Sequence, residues 1–236
     1  MPSVISTSPA TRRQNRWIFS EKTGKITVKK FSLHGKKPWK EPFPAGDTVI
    51  MAGDISWATH LEDALSDLKT LSALPGRKII VRGNHDYWWN TVSKMKRMTD
   101  NAFEFIFNSA LSVENIALAG TRGWIPETSK KITEEDKVII LREQGRLERS
   151  LIEAEKFNCE KIFAILHYPP FDEQRRPTKM MEIMKSHGVT DCIYGHIHGK
   201  QNFNNLPKEL EGIQLHLTSS DYLNFKPLLL TEWNES

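Results

Sequence analysis

The sequence predicts an α/β fold with a metal site at the ends of its strands. Four apolar runs each close on a polar tip: 49–54 (VIMAGD), 79–86 (IIVRGNHD), 162–167 (IFAILH) and 192–198 (CIYGHIH). Apolar runs of this length, bounded by Gly and polar residues, read as buried strands. From Asp47 onward such runs alternate with amphipathic helical stretches, the order that builds sheets covered by helices. Ligands of open α/β sheets gather at the carboxyl ends of strands. Asp, Asn and three His converging there suit a hard-to-borderline divalent cation.

Each element has its own signal. After the first tip, Leu61, Leu65, Leu68 and Leu71 recur at helical spacing, and Pro75-Gly76 ends that helix before the second strand. The stretch 91–98 reads as a helix, and Phe103, Phe105 and Phe107 alternate as in a strand. A short strand at 116–119 leads to 120–124 (GTRGW). Thr133 with Asp136 three residues on resembles a capping box, which opens a long charged helix to about Phe157. A Pro/Arg-rich loop over 169–177 precedes a short helix closed by Gly188. Ile213, Leu215 and Leu217 alternate as a late strand, and 227–230 is a last apolar segment.

Composition narrows the class. The chain has 236 residues, enough for one substantial core. Its two cysteines, Cys159 and Cys192, have neither metal nor redox spacing, which is compatible with a reducing cytoplasm. No apolar stretch reaches the length of a membrane span. The net charge of +4 divides into +8 up to Gly46 and −4 beyond it. The motif-bearing body is therefore mildly acidic, and nucleic acid is not the favoured partner.

Gly-Asp, Gly-Asn-His-Asp, a lone strand-end His and Gly-His-x-His, in that order, resemble the calcineurin-like metallophosphoesterase superfamily, in an uncharacterised bacterial branch. The likeness runs from about Gly46 to Pro227. It implies a two-sheet sandwich flanked by helices, in four layers α/β/β/α, with the site at the sheet edge. It further implies two divalent metals (Mn, Fe, Zn or Ni) and hydrolysis of a phosphate monoester or diester by a metal-bound hydroxide. Carried over residue by residue, Asp54 bridges the two metals. Asn84, His167 and His196 complete the second site, and His198 serves the first. His85 is the implied general acid, with Asp86 holding its ring. Gly53, Gly83 and Gly195 let backbone approach the site. Arg122 is the candidate phosphate contact outside the ligands.

Other residues have plainer readings. His60 and His187 are read as facing solvent, and His216 as exposed or a substrate contact. Trp88, Trp89 and Trp124 are read as core or pocket wall, and Arg175 and Arg176 as a solvated loop. Cys192, inside an apolar run, reads as a buried thiol.

The family's first strand ends in Asp-x-His, and this chain has no such motif. Up to Gly46 it carries ten basic and two acidic residues, with no convincing period over 22–40. Back-translating 3–8 (SVISTS) and reading from the third base of the first codon yields Ser-Asp-Leu-His-Leu, the missing motif. The same frame continues in a family-like text until the given one resumes near Gly46. Two segments are therefore expected: an aberrant 1–45, with about 3–43 a frameshifted reading, and a metallophosphoesterase domain over 46–236. A transit peptide or a divergent arm are the rivals. For the literal chain, with two first-site ligands missing, the expectation is one firmly held metal, weak activity and poor solubility. A catalytically impaired, single-metal binding or regulatory protein is the alternative function.

Overall fold

The computed structural model describes residues 16–22, 25–31, 47–74, 76–224 and 228–232. Three parallel strands form one sheet in the order β3-β4-β5. They follow two earlier strands, β1 (Arg16–Lys22) and β2 (Lys25–Phe31), and are β3 (Thr48–Met51), β4 (Arg77–Val81) and β5 (Glu104–Ile106). Between them run α1 (Leu61–Ser72) and α2 (Val92–Met98). Leu61, Ala64, Leu68 and Leu71 of α1 pack with Met95 of α2 on the outer face of this sheet, against Val49, Met51 and Ile80. Leu65 is only half-buried, at the edge of that stripe.

The second sheet has six strands: β6 (Leu111–Val113), β7 (Ile116–Thr121), β8 (Lys161–Leu166), β9 (Val189–Tyr194), β10 (Glu209–Leu210) and β11 (Ile213–Leu217). Its order is β10-β11-β9-β8-β7-β6, parallel through the four central strands and antiparallel at both edges. α3 (Glu134–Glu155) and α4 (Lys179–Ser186) cover its outer face, where Leu147, Leu151, Met181 and Met184 meet Ala117, Ala119 and Ala164. The inner faces of the two sheets meet through Ile50, Ile79, Val81, Leu118, Phe163, Ile165 and Ile193. These contacts give four layers, α/β/β/α, with both sheets buried on two sides, as parallel sheets require.

β1 and β2 pair antiparallel, and β2 pairs with β12 (Leu229–Glu232) in a separate three-stranded sheet. No sequence period announced the first two. The rest of the segment expected to be frameshifted lies outside the described residues. Among the described residues, no helix is long and apolar enough to cross a membrane.

Local sequence explains the helix ends. Thr133 accepts from the Asp136 amide at 3.1 Å, and the Asp136 carboxylate accepts from the Thr133 amide at 2.9 Å, the capping box read from sequence. Gly188 turns the chain after α4 with φ 67°.

Candidate metal centre

The tips of β3, β4, β8 and β9 bring Asp54, Asn84, His167 and His196 together. After β3 the chain turns sharply, with Gly53 at φ 89° and Asp54 itself at φ 58°. A Cβ on Gly83 would collide with the Asp54 amide nitrogen and with Asp54 Oδ1, so only glycine lets the second tip pass beneath the first. Gly195 differs from this expectation. A Cβ there would meet nothing nearer than the Ala52 carbonyl at 3.4 Å, and the unusual backbone falls on His196 instead, at φ 68°. Left-handed backbone at a non-glycine residue of this kind is typical of functional sites.

The donor atoms meet in one place. His167 Nε2 lies 2.6 Å from Asn84 Oδ1, 3.4 Å from Asp54 Oδ2 and 3.3 Å from His196 Nδ1, while His196 Nδ1 lies 3.1 Å from Asn84 Oδ1. The Ala52 carbonyl, 2.8 Å from His167 Nδ1, can only accept, so Nδ1 carries the proton and Nε2 presents a lone pair to the cluster. Burial pushes both imidazoles down to about 3, so they are neutral at physiological pH. Burial also raises the Asp54 carboxyl, against the His85 amide bond and the nearby His85 and His198 rings. Lone pairs thus outnumber protons at the centre of the cluster, an arrangement that a cation resolves. Donors bonded to such a cation at about 2.0–2.2 Å stand roughly 3 Å apart, which is the spacing found here. No group of three or more His, Cys, Asp or Glu alone is spaced to hold a metal among the described residues. Asn84 Oδ1 touches both imidazoles and would be the further donor beside them and Asp54.

His198 is held by a different contact. Its Nδ1 is 3.0 Å from Asp221 Oδ1, and Asp221 also accepts the Gly199 amide at 2.6 Å. A carboxylate behind an imidazole fixes the tautomer and orients Nε2 for ligation. Among the described residues a first site would have only Asp54 and His198. Asp221 lies in 220–226 (SDYLNFK), a stretch whose residues the motifs left without a role.

Asp86 corrects the sequence reading. It does not hold the His85 ring. Its carboxylate accepts the amides of Asp54 (2.8 Å), Ile55 (2.8 Å), Ser56 (3.2 Å) and Gly83 (2.7 Å), and the Trp88 indole (3.0 Å). Burial and the Asp54 carboxylate push Asp86 up to about 6, and the amide hydrogen bonds favour the ionised form. His85 stacks instead on Trp57, ring centroids 3.8 Å apart and 10° from parallel, with Nδ1 3.4 Å from the Tyr87 hydroxyl.

Arg122 directly follows β7, next to the cluster. Its carbonyl accepts the amides of His167 and Tyr168, and its guanidinium lies over the Trp124 ring at 4.3 Å. The side chain is 10% exposed and 3.5 Å from Glu143. His187 does not face solvent. It is clasped by Glu155 at 2.7 Å and Glu148 at 3.6 Å. His60 is exposed. His216 pairs with Asp191 across neighbouring strands at 2.8 Å. Trp88 is core, and Trp124 packs on Tyr168. Arg176 is tied to buried Asp172 at 2.7 Å, and Arg175 lies over the Phe171 ring. Cys192 is a buried free thiol.

Two helix-flanked sheets packed face to face, with Asp, Asn and His gathered at the strand ends, make an α/β sandwich with a polar cluster at the sheet edge. The model of the calcineurin-like phosphoesterase family matches residues 27–200, and the chain belongs to that family. The family is one of divalent-metal-dependent phosphoesterases. Comparison with curated proteins found no match. Among solved structures, the chain is similar to AQ665, a protein of unknown function from Aquifex aeolicus. Identity is 18% over 77% of this chain and 72% of that one, with a TM-score of 0.38. It is also similar to TT1561 of Thermus thermophilus, at 11% identity over 75% and 81% of the two chains, with a TM-score of 0.45.

Proposed function

We propose that the protein hydrolyses a small phosphate monoester or diester, with a divalent cation held by Asp54, Asn84, His167 and His196. The excess of lone pairs where these side chains meet is the observation that supports this reading. A second cation would be shared between Asp54 and His198, the latter oriented by Asp221. Cations bound there would supply Lewis-acid charge for the phosphoryl oxygens and lower the pKa of a bound water. The chain's own residues do the rest. Asp86 gathers the amides of both ligand loops and so fixes where Asp54 and Asn84 stand. Trp57 holds the His85 ring by stacking, and with Nδ1 turned to Tyr87, Nε2 is left to give its proton to the leaving oxygen.

The substrate is taken to be a small molecule rather than nucleic acid, since the body from Asp47 onward is net acidic. A cytoplasmic setting fits the free thiols Cys159 and Cys192. Residues 3–43 are proposed to be a frameshifted reading, and intact mass of the native gene product tests this. Recovery of the Asp-x-His sequence would support it, and the present sequence in that product would sink it.

A second reading, a single-metal binding or regulatory protein without turnover, is favoured by the two-ligand first site of the described residues. Multiple-turnover hydrolysis of bis(p-nitrophenyl) phosphate and p-nitrophenyl phosphate, with Mn, Fe, Zn or Ni supplied, separates the two. Turnover abolished by His167→Asn supports the phosphoesterase. Stoichiometric metal binding without turnover of either ester selects the second reading.

A further inference from the structure

The imidazoles at the strand ends are oriented by different means. His167 donates through Nδ1 to the Ala52 carbonyl at 2.8 Å, and His198 has the Asp221 carboxylate behind its Nδ1 at 3.0 Å. Hydrogen bonds of this kind are the usual way to fix a ligating ring. His196 differs. It turns Nδ1 to Asn84 Oδ1 and His167 Nε2, and among the described residues no hydrogen bond holds its Nε2. Its backbone is also strained, at φ 68°. A residue in that conformation stays in place only where its surroundings over-determine it.

What meets the His196 ring is Tyr168. The two ring centroids are 4.1 Å apart and the planes 35° from parallel, and the same phenol ring stands edge-on to His167 at 5.5 Å. Tyr168 is itself held from behind. Its amide, like that of His167, donates to the Arg122 carbonyl, and Trp124 packs on its ring at 5.4 Å. The Trp124 indole in turn donates to Asp136 at 2.8 Å, in the first turn of α3. Only 8% exposed, Tyr168 has little room to move. We propose that Tyr168 is the positioning residue of His196, its packed ring doing what a hydrogen bond does for His167 and His198. An aromatic face against the imidazole restricts its rotation and keeps Nδ1 on the cluster. The proposal rests on the reading of this cluster as a cation site, and it adds a residue outside the donor set.

The test is calorimetric titration of the metal-free full chain with Co(II), with the visible absorption of the bound ion as a second readout, of ligand geometry. Tyr168→Leu should weaken Co(II) binding about 10–100-fold, the usual cost of losing the support behind a ligand, and should alter the spectrum. Tyr168→Phe should keep wild-type affinity and spectrum, because the ring and not the hydroxyl holds His196. Two controls separate positioning from general loosening. Phe103→Leu trims a buried ring in the core under α1 and should leave Co(II) affinity unchanged. In a His196→Asn background, Tyr168→Leu should cost little further affinity, since the ring it supports is gone. Equal affinity and spectrum in the wild type and Tyr168→Leu would overturn the proposal. So would an undiminished loss in the His196→Asn background, or the same loss from Phe103→Leu or Tyr168→Phe. These outcomes sink the proposal alone, whereas a wild type that binds no Co(II) would take the cation reading down with it.

Discussion

At the residue scale, the division of labour between His85 and Asp86 governs the site. Asp86→Asn turns amide hydrogens toward the donors that the carboxylate now satisfies. With each orphaned buried donor worth about 1–3 kcal/mol, the substitution should cost at least ~3 kcal/mol, read by urea unfolding. His85→Ala should do the opposite. Metal content and stability should hold while turnover falls about 10²–10⁴-fold, as expected for loss of a general acid. Equal loss of stability in the two variants would contradict this separation. The clustering of Asp54, Asn84, His167 and His196 was legible because each follows an apolar run. Asp86 was not, because its adjacency to His85 suggests a dyad, whereas three of its donors come from Asp54, Ile55 and Ser56, about thirty residues earlier. Asp221 was hidden for the same reason: nothing local ties it to His198, 23 residues upstream.

At the element scale, α3 carries two features of opposite sign. Thr133→Ala removes the reciprocal cap and should cost about 1 kcal/mol. Gly145 lies mid-helix, and a Cβ there would meet only the flexible end of Arg149 at 3.5 Å. Gly145→Ala should therefore stabilise the protein by about 0.5–1 kcal/mol, as denaturant midpoints would show. The helices could be read from sequence since period and caps agree. The edge strands β6 and β10 could not, having three and two residues, too few to display alternation. β1 and β2 have no alternation that stood out from their basic context.

At the scale of the whole molecule, stability would be linked to any cation held at the strand ends. If the centre binds a cation, chelation should lower the melting temperature, by an amount equivalent to about 2.7 kcal/mol when free metal stands at 100 times its Kd. His196→Asn should largely remove that chelator-dependent shift. A second linkage joins β9 and β11. Burial opposes the Asp191 charge, but hydrogen bonds from His216 and Thr190 outweigh it and hold the carboxyl below its usual range. A depressed carboxylate contributes stability above the unfolded-state value, near 3.8, and loses it as pH falls through the folded one. Asp191→Asn should therefore be less stable than wild type near neutral pH, and the gap should close below that value in pH-dependent melts. The α/β alternation was legible because both sheets are buried on two faces, which makes their strands continuous apolar runs, whereas the two-sheet layering followed from the family resemblance. The pairing of the small β1-β2-β12 sheet joins distant segments, which no local pattern encodes.

The anchoring of both ligand loops on one carboxylate has a kinetic corollary. The amides of Asp54, Ile55, Ser56 and Gly83 share a single acceptor residue, so opening one loop releases the other. Their hydrogens should exchange with solvent as one cooperative unit, with matched protection, although they come from two segments of the chain. Staggered exchange would mean that the loops breathe separately. A matched rate would mean that the centre assembles and dissolves in a single motion.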